Sequence, residues 1–211
     1  MPSSDDTLGL FPLPLVLLPG EVLPLHIFEE RYKALIGDCR ASGAAFGVLF
    51  TDEDKTADRG CTATVDEVID ELDDGRLNIL VSGHERFSVT ELIRPDDPEA
   101  DYLRGRVEVF DDLESAVAAQ QLAEDLAESL FRRMVNLMGV DEPRVPSGEH
   151  PLSFRLAAAV DFGHPLKQRL LESRSEAERL DLLVAVMKAL IPGLELRKQR
   201  EQAIRGNGKG Y

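Results

Sequence analysis

Four prolines, Pro12, Pro14, Pro19 and Pro24, punctuate the most apolar stretch of the chain, LFPLPLVLLPGEVLPLHIFEERY at residues 10–32. A helix interior cannot carry prolines at this spacing, because each removes a backbone donor and its ring clashes with the preceding turn. Within sheets, proline is confined to edges, strand starts and bulges. The stretch therefore reads as short extended pieces at 15–18 and 22–27, with a turn at Pro19-Gly20 and a helix starting near Glu29. Apolar backbone that is not helical must find hydrogen-bond partners elsewhere in the chain. Residues 10–32 are thus expected to thread through a β-core, with 45–50 and 77–89 as partner strands.

The other segments can be read around that one. Tyr32, Leu35, Ile36 and Cys39 recur at helical spacing, and Ser42-Gly43 ends that helix. Residues 45–50 form a compact apolar run, and 51–60 an acidic loop. The β-branched segment 62–71 slips phase between Val65 and Val68, which predicts a bulge. Asp73-Asp74-Gly75 between apolar runs is a hairpin signal. Alternation at Leu77, Ile79 and Val81, then at Phe87, Val89, Glu91 and Ile93, and again over 103–109, predicts further strands. From Leu113 to Met138 there is no Gly or Pro, and the spacing of Leu113, Val117, Leu126, Leu130, Met134 and Leu137 predicts one long helix. Pro151 suits the first turn of a helix running to about Val160, and a short helix should cover 166–172. Ser175-x-x-Glu178 resembles a capping box. The helix it opens is expected to bury Leu180, Leu183, Val184, Met187, Leu190 and Ile191 and to stop at Pro192-Gly193.

Strands first and helices later predict an α+β chain, with a β-rich part over 8–112, a helical part over 113–193, and flexible tails at 1–7 and 194–211. Its 211 residues suffice for a sizeable core. The apolar run at 10–18 is far short of the ~20 residues that span a bilayer. Asp5 and Asp6 stand where a signal peptide carries positive charge, so no membrane association is expected. Cys39 and Cys61 form no metal-spaced or redox pair, which fits reduced thiols and a cytoplasmic location.

The net charge of -15 is unevenly placed: up to Asp112 there are 25 acidic against 10 basic side chains, and beyond it 14 against 14. Such a first half repels phosphate backbones, so nucleic acid is not an expected partner. The acid either keeps the protein soluble or meets a basic partner.

No G-x-x-x-x-G-K-[ST] loop, G-x-G-x-x-G turn or G-x-S-x-G elbow occurs. His26, His84, His150 and His164 have no partner at metal-binding spacing. No catalytic residue, metal or cofactor is expected. The contact candidates are Leu25, His26, Phe28, Arg31 and Tyr32 around the strand-to-helix junction, with Arg86 and Phe87 on a later strand. Aromatic rings beside arginines build recognition surfaces, although the same residues also serve as core anchors whose charges reach outward.

Three blocks carry a family resemblance: LFPLPLVLLPGEVLPLHIFEERYKALI, GCTATVDEVIDELDDGRLNILVSGHERFSV and LSFRLAAAVDFGHPLKQRLLESRSEAERL. Together they resemble the N-terminal, substrate-recognition domain of Lon-type ATP-dependent proteases over residues 9–191. The resemblance implies a PUA-like mixed β-barrel followed by an α-helical bundle. It also implies a non-catalytic module that binds unfolded or exposed polypeptide segments, without the ATPase and peptidase modules of the full-length enzymes. A cleft is expected where the β-half joins the helical half. Two alternatives stay open: an adaptor that docks on a separate protease or chaperone through its acidic face, and a small-molecule binder or enzyme that has reused the fold.

Overall fold

Strand β1, Leu8–Leu13, opens the chain and runs parallel to β3, Phe46–Thr51, with Leu10 opposite Gly47 and Pro12 opposite Leu49. In this computed structural model the described residues are 7–53, 55–98, 101–113, 117–140 and 144–207. The extended piece expected at 15–18 joins no sheet. Residues 14–19 carry no strand pairing, yet Val16, Leu17 and Leu18 are buried. Pro14 and Pro19 bracket them, and the Leu18 N–H goes to the Glu21 carboxylate (3.0 Å) rather than to a ladder. The Pro19-Gly20 turn does form, with Glu21 N–H donating to the Leu18 carbonyl (3.0 Å) and Gly20 at φ 77°.

Pro12 is tolerated in β1 because β6, Arg104–Val109, pairs with that strand at Leu8 and Gly9, and the last bond on this side runs from the Leu10 N–H to the Leu103 carbonyl just before β6. Pro24 lies on β2, Val22–Ile27, which pairs on one side only, with β5, Leu77–Ile93. Both prolines thus sit where a donor can be lost without breaking a ladder. As expected, residues 10–32 find their partners in β3 and β5.

Strand β4, Thr56–Glu71, joins β3 to β5. It starts earlier than its sequence implied: residues 56–60, read as loop, pair across the hairpin, although Thr56 and Asp58 face solvent and so hide the apolar alternation. The register shifts between Val65 and Glu67 as the phase slip predicted. Gly75, at φ 77°, closes the β4–β5 turn by donating its N–H to the Leu72 carbonyl (2.8 Å). Pairings β5–β4–β3–β1–β6–β5 close a ring of strands, and β2 extends it along β5. Inside it Leu10, Leu49 and Phe87 are fully buried against half-buried Leu8, Val89, Leu103 and Val107. Helix α1, Glu30–Ser42, buries Tyr32, Leu35, Ile36 and Cys39 and ends on Gly43 at φ 72°.

The remaining helices are α2, Val117–Leu137, α3, Leu152–Ala159, α4, His164–Glu172, and α5, Glu176–Asn207. The chain forms two compact units. One comprises Met1–Asp111 with Val160–Glu172, and the other Asp112–Ala159 with Ser173–Tyr211. Helix α4 therefore belongs with the strands, although its place in the sequence is among the helices. The fold class is α+β, as expected.

In the second unit, α2 turns Ala127, Phe131, Met134 and Val135 inward. Leu126, expected on that face, is 42% exposed; Leu113, expected in the same helix, lies before it and is exposed, and the side chain of Val117 is outside the described residues. Helix α5 buries Leu180, Leu183, Val184, Met187 and Ile191, whereas Leu190 faces out. It does not stop at Pro192-Gly193 but continues to Asn207, so the tail expected to be flexible from residue 194 is helical that far. A proline inside a helix costs about 3 kcal/mol. Bonds to α2 beyond the proline oppose that cost: Arg133 pairs with Glu195 at 2.6 Å, and Lys198 Nζ donates to the Asn136 carbonyl at 3.3 Å.

Arg179 organises the start of α5. It is fully buried, and its guanidinium lies 4.4 Å from the centre of the Phe154 ring. Nε donates to Ser153 Oγ (2.8 Å), Nη1 to Asp112 (2.7 Å) and to the Ser173 carbonyl (2.9 Å), and Nη2 to Glu176 (2.7 Å). Two carboxylates and fixed dipoles replace the water it loses, which is what a buried guanidinium requires. The expected cap is present, with Glu178 N–H on Ser175 Oγ (3.3 Å), but the Glu178 carboxylate turns to Ser173 Oγ (3.0 Å).

Candidate functional site

The first turn of α1 places Arg31 and Tyr32 at the edge of the strand ring. Glu29 precedes the helix in extended conformation, and its side chain does not cap it. Its carboxylate instead accepts Arg31 Nε (2.9 Å) and Nη2 (2.6 Å). Nη1 of Arg31 donates to the Pro98 carbonyl (3.3 Å), and the guanidinium lies 4.6 Å from the centre of the Tyr32 ring. Tyr32 itself stacks on Phe11 at 4.0 Å between centroids. Burial pushes the Tyr32 hydroxyl above its usual pKa, opposed by the Arg31 charge and reinforced by Glu29.

A half-open groove of about 500 Å³ begins at this pair. Pro12, Tyr32, Leu92, Pro95, Pro98 and Leu103 give it an apolar lining, and Arg31, Lys55, Arg94 and Asp101 supply its charges. All belong to the first unit. Leu92 on β5 is 45% exposed, so the groove presents apolar surface to solvent.

The seven candidates fall into two sets. Phe28 is 59% exposed and stacks on exposed His26 at 5.9 Å, and His26 Nδ1 shares a 2.7 Å hydrogen bond with Asn78 Oδ1. Arg31 is half-buried in the groove wall, and the Tyr32 ring, though largely buried, lines it as well. The other three are core. Leu25 points inward opposite Ile79, and Phe87 is wholly buried with Leu10 and Leu49. Arg86 is buried as well. Its Nη1 donates to the Leu171 carbonyl of α4 (3.3 Å), and it stacks over Phe110 at 4.8 Å. Leu25, Arg86 and Phe87 are therefore corrected from surface contacts to packing residues.

Sequence reasoning missed Lys55, Leu92, Arg94 and Leu103. They come from three separate strand ends and loops, and no spacing along the chain ties them together. It also missed Glu21 and Lys167, which form a buried ion pair between the Pro19-Gly20 turn and α4. Neither cysteine offers a nucleophile: burial raises both thiol pKa values, that of Cys61 to about 12. Among the described residues no group of three His, Cys, Asp or Glu side chains is placed to hold a metal ion. Nor is any described helix long and apolar enough to cross a membrane.

A profile of the ATP-dependent protease La (LON) substrate-binding domain matches residues 7–189. The chain is 30% identical to the Lon protease of Anaeromyxobacter dehalogenans over 97% of its own length and 26% of that protein's. It is also 30% identical to Lon protease 2 of Myxococcus xanthus, over 90% of this chain and 24% of that one. The chain thus spans about a quarter of the length of these relatives. Among solved structures, a Lon N-terminal domain protein from Xanthomonas campestris superposes with a TM-score of 0.63 at 27% identity, covering 85% of this chain and 97% of that one. The N-terminal domain of Lon protease from the Mycobacterium avium complex, at 19% identity, shares the fold with a TM-score of 0.65 over 86% and 98% of the two chains.

Proposed function

The chain belongs to the substrate-binding domain family of ATP-dependent protease La (Lon), and from that premise we propose that it is a non-catalytic module that binds exposed segments of other polypeptides. The observation that carries this reading is the groove beside Arg31 and Tyr32, which offers apolar lining and exposed Leu92 to solvent on an otherwise strongly charged unit. A half-open groove of this kind accommodates an extended segment better than an enclosed small molecule. His26 and Phe28, stacked at the end of the strand that leads into α1, supply a second contact.

Among the described residues of the groove no nucleophile is hydrogen-bonded to a side-chain base. Burial raises the Tyr32 hydroxyl further above its ordinary range, so it does not supply a phenolate.

The test is a titration of short apolar peptides into the purified chain by calorimetry, with Leu92→Asp as the groove variant. Micromolar binding that Leu92→Asp weakens at least tenfold is the expected result. Absence of binding by any peptide sinks the proposal.

A second reading is favoured by one observation. Asp66, Glu67, Asp70 and Glu71 on β4 and Asp73 and Asp74 on the following turn are all exposed. Docking of a basic partner protease or chaperone on that face would weaken steeply with salt, whereas apolar capture would not.

A further inference from the structure

Ten Lys and Arg residues lie in the sequence up to Asp112. Eight of them engage a carboxylate, a backbone carbonyl or a hydroxyl. The side chains of Lys55 and Arg94 engage none among the described residues. These two come from the β3–β4 turn and from the end of β5, and both line the same groove. In a half of the chain where acid outnumbers base 25 to 10, unpaired cations have no shortage of carboxylates to meet. That both have no side-chain partner among the described residues, and at one place, is the observation to be explained.

The acidic side chain in the groove does not neutralise them. Asp101 turns Oδ1 to the N–H of Tyr102 (2.8 Å). Arg31, the third cation, is already held by Glu29. The groove therefore presents an apolar floor of prolines, Tyr32, Leu92 and Leu103, bordered by two cations with unused donors.

We propose that this groove selects polypeptide segments in which an Asp or Glu side chain lies next to an apolar one, the carboxylate being received by Lys55 and Arg94 and the apolar side chain by Leu92 and Leu103. The proposal rests on the polypeptide-binding reading above and specifies its substrate class. Charge complementarity favours a short acidic segment over a polyanion. Two cations satisfy one or two carboxylates locally, while the surrounding acid repels a long phosphate chain over the ~8–10 Å that charges reach in salt. A groove open to solvent admits a segment from the middle of a chain, so the acid is assigned to a side chain rather than to a C-terminus.

Four peptides with blocked ends test this: one apolar with two Asp residues, one with Asn in their place, one with Lys in their place, and the Asn peptide with a free C-terminal carboxylate. Exposed ion pairs of this kind give up to about 5-fold each. The Asp peptide is expected to bind about 5- to 25-fold more tightly than the Asn peptide at low salt, and the gap closes at high salt. In the double variant K55E/R94E the order inverts, with the Lys peptide now ahead. The control R76E, which changes charge on the β4–β5 turn, keeps the wild-type order. Equal binding of the Asp and Asn peptides overturns the charge selection while leaving polypeptide capture standing. A free C-terminus that gains as much as the two Asp residues overturns the side-chain assignment. Loss of binding by all four peptides removes both readings.

Discussion

The ammonium of Lys167 on α4 meets the carboxylate of Glu21 across 146 positions of sequence, and neither side chain keeps more than 11% of its surface. Glu21 uses its other oxygen to hold the N–H of Leu18. One ion pair thus fixes the Pro19-Gly20 turn and docks α4 on the unit that contains the strands.

Removing one partner of such a pair leaves a buried charge with no counter-ion. Lys167→Met should destabilise the first unit by about 3 kcal/mol, and Glu21→Gln by a similar amount. The double variant should recover most of that loss, because the stranded charge is gone. Urea denaturation followed by tyrosine fluorescence checks it. If the double variant is as unstable as the sum of the two single variants, the pair is not what holds this region together.

A comparable argument applies to Arg179 in the second unit. Lysine cannot span Asp112, Ser153 and Glu176 with one ammonium, so Arg179→Lys should cost about 3 kcal/mol despite keeping the charge. The expected outcome is an earlier urea midpoint for the helical signal in far-UV circular dichroism, with the groove's peptide affinity unchanged.

Gly83 carries both hydrogen bonds that hold the turn to β5, with Gly20 N–H on its carbonyl (2.8 Å) and its own N–H on the Glu21 carbonyl (2.9 Å). A Cβ there would stand 2.3 Å from the Leu18 carbonyl oxygen. Gly83→Ala should therefore push the turn away and cost about 2 kcal/mol or more. A thermal melt detects this as a lowered midpoint. An unchanged midpoint would show that the turn can shift freely.

The pH dependence has a definite sign on the alkaline side. Burial first, then the hydrogen bond to Asp38, raises the Tyr102 hydroxyl from 10.0 to about 12, and burial raises the Cys61 thiol from 9.0 to about 12. Below pH 9 both groups are protonated whether the chain is folded or not. Between pH 9 and 12 the unfolded chain releases these protons and the folded chain keeps them, so stability falls as pH rises. Tyr102→Phe should flatten the part of that decline that begins near pH 10. Over the same range Cys61 should resist a thiol reagent until the chain unfolds.

The legibility of the sequence was uneven for physical reasons. Local rules were reliable where a residue's own backbone decides the outcome. Gly43 and Gly75 adopt positive φ, Ser175 caps α5, the phase slip after Val65 is a bulge, and Tyr32, Leu35, Ile36 and Cys39 face inward. They failed where packing overrode them. Pro192 does not end α5, which runs on to Asn207 and bonds to Arg133 and Asn136 of α2 beyond the proline. Residues 15–18 are apolar and β-prone, yet they join no ladder: Pro14 and Pro19 bracket them, and the Leu18 donor goes to the Glu21 carboxylate. Of the candidate contacts, Phe87 could not be told from a surface ring, since alternation along a strand says which residues share a face but not which face is covered.

The sequence by itself determined the family, the α+β class, and the pairing of residues 10–32 with two later strands. Those follow from proline chemistry, from periodicity and from motifs contained in short runs of chain. Only the tertiary structure decided that α4 joins the strands, that Glu21 and Lys167 pair, and that Arg31, Lys55, Leu92 and Arg94 share one groove. These residues meet because three strand ends and the first turn of α1 converge in space. That convergence depends on how the strand ring closes, which no local pattern along the chain records.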